Sequence, residues 1–168
     1  MKRIGILSDT HGLWDERFAL HFDGCDEIWH AGDIGTDEVA RRLSEVAPLR
    51  AVTGNIDGGI LRRLYPVRLR FRCEEADVLL THIGGYPGHY DARLRGSLFA
   101  RPPHLMVCGH SHILKVQYDR TLSMLHINPG AAGCHGWQRV RTLVRLTVDG
   151  RAFRDLEVIE LGSPTAGQ

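Results

Sequence analysis

No two cysteines in this 168-residue chain form a CxxC pair. Cys25, Cys73, Cys108 and Cys134 lie far apart, which argues against a zinc ribbon and against a disulfide framework. Free thiols in a reducing compartment fit better. No apolar stretch approaches the ~20 residues that a membrane helix needs. The opening "MKRIGILSDTHG" is too short in its apolar part for a signal peptide and meets Asp9 at once. A cytoplasmic protein with no membrane partner is the expectation. No basic block stands out, and the net charge is +1, so composition offers no clear nucleic-acid surface. The arginines at 62, 63, 68, 70 and 72 are interleaved with Leu, Tyr and Phe and read as the solvated face of a strand. Repeats, low-complexity segments and interior linkers are also lacking. The expectation is one domain over residues 1–160, followed by a small polar tail, 161–168, that frays. A homodimer is compatible with base rates alone.

What the chain has in quantity is histidine: ten, several of them beside glycine or aspartate. Apolar runs that read as strands end at these places. "RIGILSD" leads to Asp9, "DEIWHAGD" to Asp33, "LRAVTGN" to Asn55, "DVLLTHI" to His82 and "HLMVCGH" to His110. Between some of them lie amphipathic stretches. Residues 36–47 have a capping threonine, early acids and apolar positions at Val39, Ala40, Leu43, Val46 and Ala47, which predicts a helix. Residues 12–22 and about 88–100 are weaker helices, the second stopped by Pro102 and Pro103. The later part alternates as strands, with one hairpin about Arg120-Thr121 and another about Asp149-Gly150. Two sheets covered by helices satisfy this α/β pattern.

Five strand ends thus carry seven side chains with metal-type donors: Asp9, His11, Asp33, Asn55, His82, His110 and His112. In open α/β sheets, functional groups collect where strands end. Residues two apart on extended chain face the same side, so Asp9 pairs with His11 and His110 with His112. Seven donors exceed one tetrahedral zinc. They suit two ions sharing a bridging carboxylate, at a spacing near ~3.5–4 Å. Four imidazoles, two carboxylates and an amide disfavour Ca²⁺ and Mg²⁺ and favour Mn²⁺, Fe, Co²⁺, Ni²⁺ or Zn²⁺. The residual positive charge of such a centre attracts an anion, and phosphate is the obvious one.

The ordered series DTH, GD, GN-x-D, H and GHSH resembles the calcineurin-like metallophosphoesterase superfamily, and is most similar to its small YfcE-type phosphodiesterase branch. The "INPGAAG" at 127–133 resembles that branch's Asn-Pro-Gly segment, and the likeness runs from residue 4 to about 160. The resemblance implies a four-layer αββα sandwich of two mixed β-sheets flanked by helices. It implies that Asp9, His11 and His112 hold one divalent ion, Asn55, His82 and His110 hold the other, and Asp33 bridges them. It implies two transition-metal ions, Mn²⁺ first among them. The implied activity is hydrolysis of a small phosphoester substrate, most often a diester, by a metal-bridging water or hydroxide. Asn55 and His82 would act there as catalytic as well as ligating residues.

Two departures from the pattern stand out. Larger relatives carry a histidine soon after the asparagine. Here the segment is "GNID", with Asp57 near that place as a weak acid or as the cap of a turn before Gly58-Gly59. Ile83 stands where many relatives have glycine. His30, just before "AGD", is a candidate support for the ligands; His89 and His135 are candidate substrate contacts. His21, His104 and His126 read as packing or surface residues. Two other functions keep the same residues: a phosphomonoesterase acting on a small phosphorylated metabolite, and a non-catalytic scaffold of the same fold. The small retromer subunit is such a scaffold, and there the position of His82 is lost.

Overall fold

Apolar runs become strands and amphipathic ones become helices, in the order β1 (Lys2–Leu7), α1 (Glu16–Phe22), β2 (Glu27–His30), α2 (Asp37–Val46), β3 (Leu49–Ala51), α3 (Ile60–Leu64), β4 (Arg68–Cys73), β5 (Ala76–Thr81), β6 (Gly85–Tyr86), β7 (His89–Tyr90), α4 (Ala92–Ala100), β8 (Leu105–Val107), β9 (Lys115–Asp119), β10 (Met124–Asn128), β11 (Arg141–Asp149) and β12 (Ala152–Gly162). The structure is a computed structural model and describes residues 1–165. Strand β12 runs on to Gly162, inside the segment read as a tail, and residues 166–168 lie outside the described residues.

Two mixed sheets result. The first has the order β12-β11-β1-β2-β3, and the second β4-β5-β8-β10-β9. In the first, β1, β2 and β3 are parallel, and β11 and β12 are antiparallel additions. In the second, β5, β8 and β10 are parallel, flanked by antiparallel β4 and β9.

Period-two alternation sorts the side chains of each central strand between two cores. Ile4, Ile6, Val144, Leu146 and Val148 of the first sheet meet Val78, Leu80, Leu105, Val107 and Ile127 of the second in a shared middle core. On the outer face of the first sheet, Leu7 and Leu143 pack with Phe18 and Phe22 of α1 and Val39, Ala40 and Leu43 of α2. On the outer face of the second, Leu79, Met106 and Met124 pack with Leu94 and Leu98 of α4. The layers are therefore helix, sheet, sheet, helix. Gly5 is part of this packing, since a Cβ there would lie 2.7 Å from Phe22 Cε1.

The helix expected over 36–47 forms as α2, and both expected hairpins form, as β9–β10 and β11–β12. One expectation needs correcting. Arg62 and Arg63 lie on helix α3 rather than on a strand; only Arg68, Arg70 and Arg72 belong to β4. Gly59 enters α3 with φ +54, a left-handed turn that ends extended chain, and Leu61 buries as the helix's anchor.

Candidate metal centre

The parallel strands β1, β2, β3, β5 and β8 are followed within four residues by Asp9, Asp33, Asn55, His82 and His110. All seven expected residues come together at this one edge of the sandwich. Asp9 Oδ1 lies 3.1 Å from His112 Nε2 and 3.8 Å from His11 Nε2. Asp33 Oδ2 lies between two imidazoles, 3.4 Å from His11 Nε2 and 3.3 Å from His82 Nε2. Asn55 Oδ1 lies 3.0 Å from both His82 Nε2 and His110 Nδ1. Two groups, Asp9-His11-His112 and Asp9-Asp33-His82, each present ligand atoms within 4.8 Å of one another.

The route to this convergence differs from the expectation. The pairs two apart are not on extended chain. Asp9, His11, Asp33, His110 and His112 have φ of 56, 47, 54, 70 and 62 degrees, the left-handed region that favours glycine. Each such residue costs on the order of 1–2 kcal/mol, and such strain collects at functional sites. Neighbouring glycines make the crowding possible. A Cβ on Gly54 would overlap the Asp33 carboxylate, one on Gly109 would lie 2.7 Å from Asp9 Oδ2, and one on Gly32 would lie 2.7 Å from His82 Nδ1.

Each carboxylate spends one oxygen on the loops and leaves the other for the centre. Asp9 Oδ2 accepts from Ser8 Oγ at 2.6 Å and from the His110 backbone N–H at 3.1 Å. Asp33 Oδ1 accepts from the Ile56 N–H at 3.1 Å. Asp9 Oδ1 and His11 Nε2 are buried with no hydrogen-bond partner. The imidazoles are oriented from behind. His82 Nδ1–H donates to Ala31 O at 2.8 Å, and His112 Nδ1–H donates to Gln138 Oε1 at 2.9 Å. In the neutral form each then turns an Nε2 lone pair toward carboxylate oxygen. Lone pairs facing carboxylates repel unless a cation lies between them. The donor set therefore fits a divalent metal, and the bonds to Ala31 O and Gln138 Oε1 are of the kind that fix ligating histidines.

Charges within the cluster shift one another's titration. Burial works to lower the His82 pKa, yet Asp33 and Asp9 hold it above its usual value; for His112, the Asp9 hydrogen bond raises it. Burial alone would raise Asp9 and Asp33, but His11 and His112 in the first case and His82 in the second keep both below the usual carboxylate range. His110 is lowered, by burial first and then by His82.

Asp57 stands apart from this cluster. Its buried carboxylate accepts backbone N–H groups of Gly54 at 2.8 Å, Gly35 at 2.9 Å and Ile34 at 3.1 Å. Of the two roles its sequence position suggested, the geometry is that of a turn cap, joining the Asp33 and Asn55 loops. His30 does support the site. Its Nδ1 accepts from the Gly32 N–H and its Nε2–H donates to Thr10 Oγ1, which donates to Ile34 O. His135 stacks on His11 with ring centroids 4.6 Å apart. Trp137 stands 79% exposed at the mouth, its indole N–H bonded to Ser111 O at 3.2 Å.

Ser8, Thr10, Gln138 and Trp137 were not singled out from the sequence. Ser8 and Thr10 alternate with Asp9 and His11 in "SDTH", and that alternation was the available signal. Gln138 reaches His112 only through the fold, and no local pattern marks it.

The sequence profile of the calcineurin-like phosphoesterase superfamily domain matches residues 1–151. A probable metallophosphoesterase of Methanothermobacter thermautotrophicus is 29% identical over 167 residues, covering 96% of this chain and 94% of the relative. A second, of Methanocaldococcus jannaschii, is 30% identical over 166 residues, covering 94% and 81%. Solved structures share the fold. Vps29 of Entamoeba histolytica complexed with zinc superposes with a TM-score of 0.75 at 13% identity, over 95% of this chain and 98% of that one. An archaeal phosphodiesterase gives 0.71 at 22% identity, over 95% and 99%. With a profile match over most of its length and a donor set that fits divalent metal, the chain belongs to the calcineurin-like phosphoesterase superfamily and is a metal-dependent phosphoester hydrolase.

Proposed function

We propose that the protein is a phosphodiesterase with a dinuclear centre of divalent transition-metal ions, Mn²⁺ foremost. Asp9, His11 and His112 would hold one ion, and Asn55, His82 and His110 the other. The single observation that carries this reading is the place of Asp33 Oδ2, nearly equidistant from His11 Nε2 at 3.4 Å and His82 Nε2 at 3.3 Å. One oxygen between imidazoles of the two sets is where a bridging ligand belongs. When bound, the two ions would lower the pKa of a water and offset the charge on a phosphate.

The chain's own residues would do the rest. Ser8, Ala31, Gln138 and the Ile56 N–H hold the ligands in one orientation, so little reorganisation accompanies the reaction. Asp57 and His30 would act as positioning residues for the loops. Trp137 and Ile56, both exposed at the mouth, would keep apolar surface against an ester arm. A cavity of about 470 Å³ beside His110 and one of about 280 Å³ beside Asn55 and His82 support a diester over a monoester. The four cysteines, none of them disulfide-bonded, support a cytoplasmic location within the same proposal.

The test is turnover of bis(p-nitrophenyl) phosphate and p-nitrophenyl phosphate by Mn²⁺-loaded protein. The expected result is faster diester than monoester hydrolysis, stopped by chelation and reduced at least ~100-fold in Asp33→Ala or His82→Ala, since changing only the groups that hydrogen-bond to ligands typically costs about 10–100-fold. Equal or faster monoester turnover would replace the diesterase reading with the phosphomonoesterase one. No turnover of either would leave a metal-binding scaffold.

A further inference from the structure

The centre continues past His110 into a cleft of about 470 Å³, within the range of small-molecule pockets. Tyr86 and His89 of the β6–β7 hairpin line it together with Ile113, Lys115 and His126. Strand pairing fixes Lys115 beside the centre. It lies opposite Asn128 in the β9–β10 ladder, and the Asn128 amide donates to Gly109 O, next to His110.

The charges in this cleft are few. His126 Nε2–H donates to Gly85 O at 3.0 Å, and burial lowers the pKa of its imidazole. Asp91 also lines the cleft, but Arg93 closes on its carboxylate at 2.9 and 3.1 Å. Lys115 is different. The chain has only two lysines, Lys2 and Lys115, among its 21 basic residues. Lys2 is paired with Glu27 at 2.7 Å. Among the described residues, Lys115 has no carboxylate within ion-pair distance. Its ammonium rests 4.7 Å from the centroid of the Tyr86 ring. An aromatic face orients a cation without neutralising it, and a lysine ammonium is a compact charge suited to phosphate. A half-buried, oriented and uncompensated cation in a cleft that opens on a metal centre asks for an anion.

We infer that this cleft receives one ester arm of the substrate, and that Lys115 selects arms bearing a second phosphate beyond the scissile one. The substrate class is then a diester with one phosphorylated arm, and Lys115 is a specificity-determining residue. This rests on the diesterase reading above.

The experiment compares three probes: a thymidine dinucleotide, the same dinucleotide with a 5′-phosphate, and bis(p-nitrophenyl) phosphate, which has no charged arm. Each is assayed with metal-loaded wild type, Lys115→Met and Lys115→Arg. Wild type should prefer the phosphorylated dinucleotide by about tenfold in kcat/KM, through KM. Lys115→Met should abolish that preference and Lys115→Arg should restore most of it. Both should keep turnover of bis(p-nitrophenyl) phosphate within about twofold of wild type. Wild type that cleaves bis(p-nitrophenyl) phosphate but shows no preference, or a preference unchanged in Lys115→Met, overturns this inference alone. Wild type that cleaves none of the three overturns the diesterase reading and this inference with it.

Discussion

Asp9 divides its carboxylate between two tasks, one oxygen tied to Ser8 and the His110 backbone and the other turned into the centre. Asp33 divides its own in the same way. Such side chains tolerate no crowding, and glycine supplies the space. Gly54→Ala would push a methyl group onto the Asp33 carboxylate, whereas a Cβ at Gly58 meets nothing within 4 Å. Gly54→Ala should therefore lower metal affinity and turnover by at least about tenfold and destabilise by about 1–3 kcal/mol. Gly58→Ala should leave both near wild type. Calorimetric metal titration of the two variants checks this; equal behaviour would contradict it.

His30 gives a prediction in pH. Burial lowers its pKa from 6.5 to about 4. The unfolded chain therefore binds a proton at higher pH than the folded one. The neutral His30 costs nothing above pH 6.5, and stability is lost as the pH falls from there toward 4, by up to about 3 kcal/mol from this one group. Urea denaturation in chelator at several pH values should show that loss, and His30→Gln should flatten it. An unchanged slope in His30→Gln would assign the loss to other groups. At this scale much was legible. Each ligand type announces its chemistry in the sequence, whereas the left-handed backbone of five ligands and the reach of Gln138 to His112 gave no sign.

Among the elements, helix α1 shows how a cap serves the site. Asp15 accepts from the Arg17 backbone N–H at 3.0 Å and pairs with the Arg17 guanidinium at 2.7 Å and with buried Arg141 at 3.0 Å. Arg17 above all, and then Arg141, against the pull of burial, hold Asp15 at about 2. Its contribution is thus present above pH 3.8 and is lost as acid approaches pH 2. Arg141 in turn donates to Ala132 O, and Gly133 N–H donates to Asp9 O. Asp15→Ala removes a cap and leaves a buried guanidinium without its carboxylate. The expected loss is about 2–4 kcal/mol in urea unfolding. A loss below about 0.5 kcal/mol would mean that the pair is screened like a surface one.

Strong periodicity made α2 and the two long hairpins legible, because their patterns are local. Helix α3, five residues long, and the two-residue strands β6 and β7 were missed. Elements that short carry no period of their own and form because the sheets around them hold them in place.

For the whole molecule, the decisive fact is that parallel strands of two separate sheets deliver their carboxyl ends to one edge. The sequence shows that five apolar runs end in metal donors. That two sheets face each other through a common core is implied there by the family resemblance alone, because it depends on Ile4, Ile6, Val144, Val78, Leu80 and Leu105 meeting across it. Gln138 and Trp137 enter the site only through that meeting, more than 20 residues along the chain from His112. Metal binding and folding are consequently linked. A metal that binds only the folded state at about 100 times its Kd should stabilise it by about 2.7 kcal/mol. Asp33→Ala should lose most of that gain in a melting experiment with and without Mn²⁺.

The most direct measurement is anomalous diffraction from a crystal grown with Mn²⁺. The account predicts two manganese peaks about 3.5–4 Å apart, one contacting Asp9, His11 and His112, the other Asn55, His82 and His110, with Asp33 touching both. A single peak, or peaks away from these side chains, would contradict it.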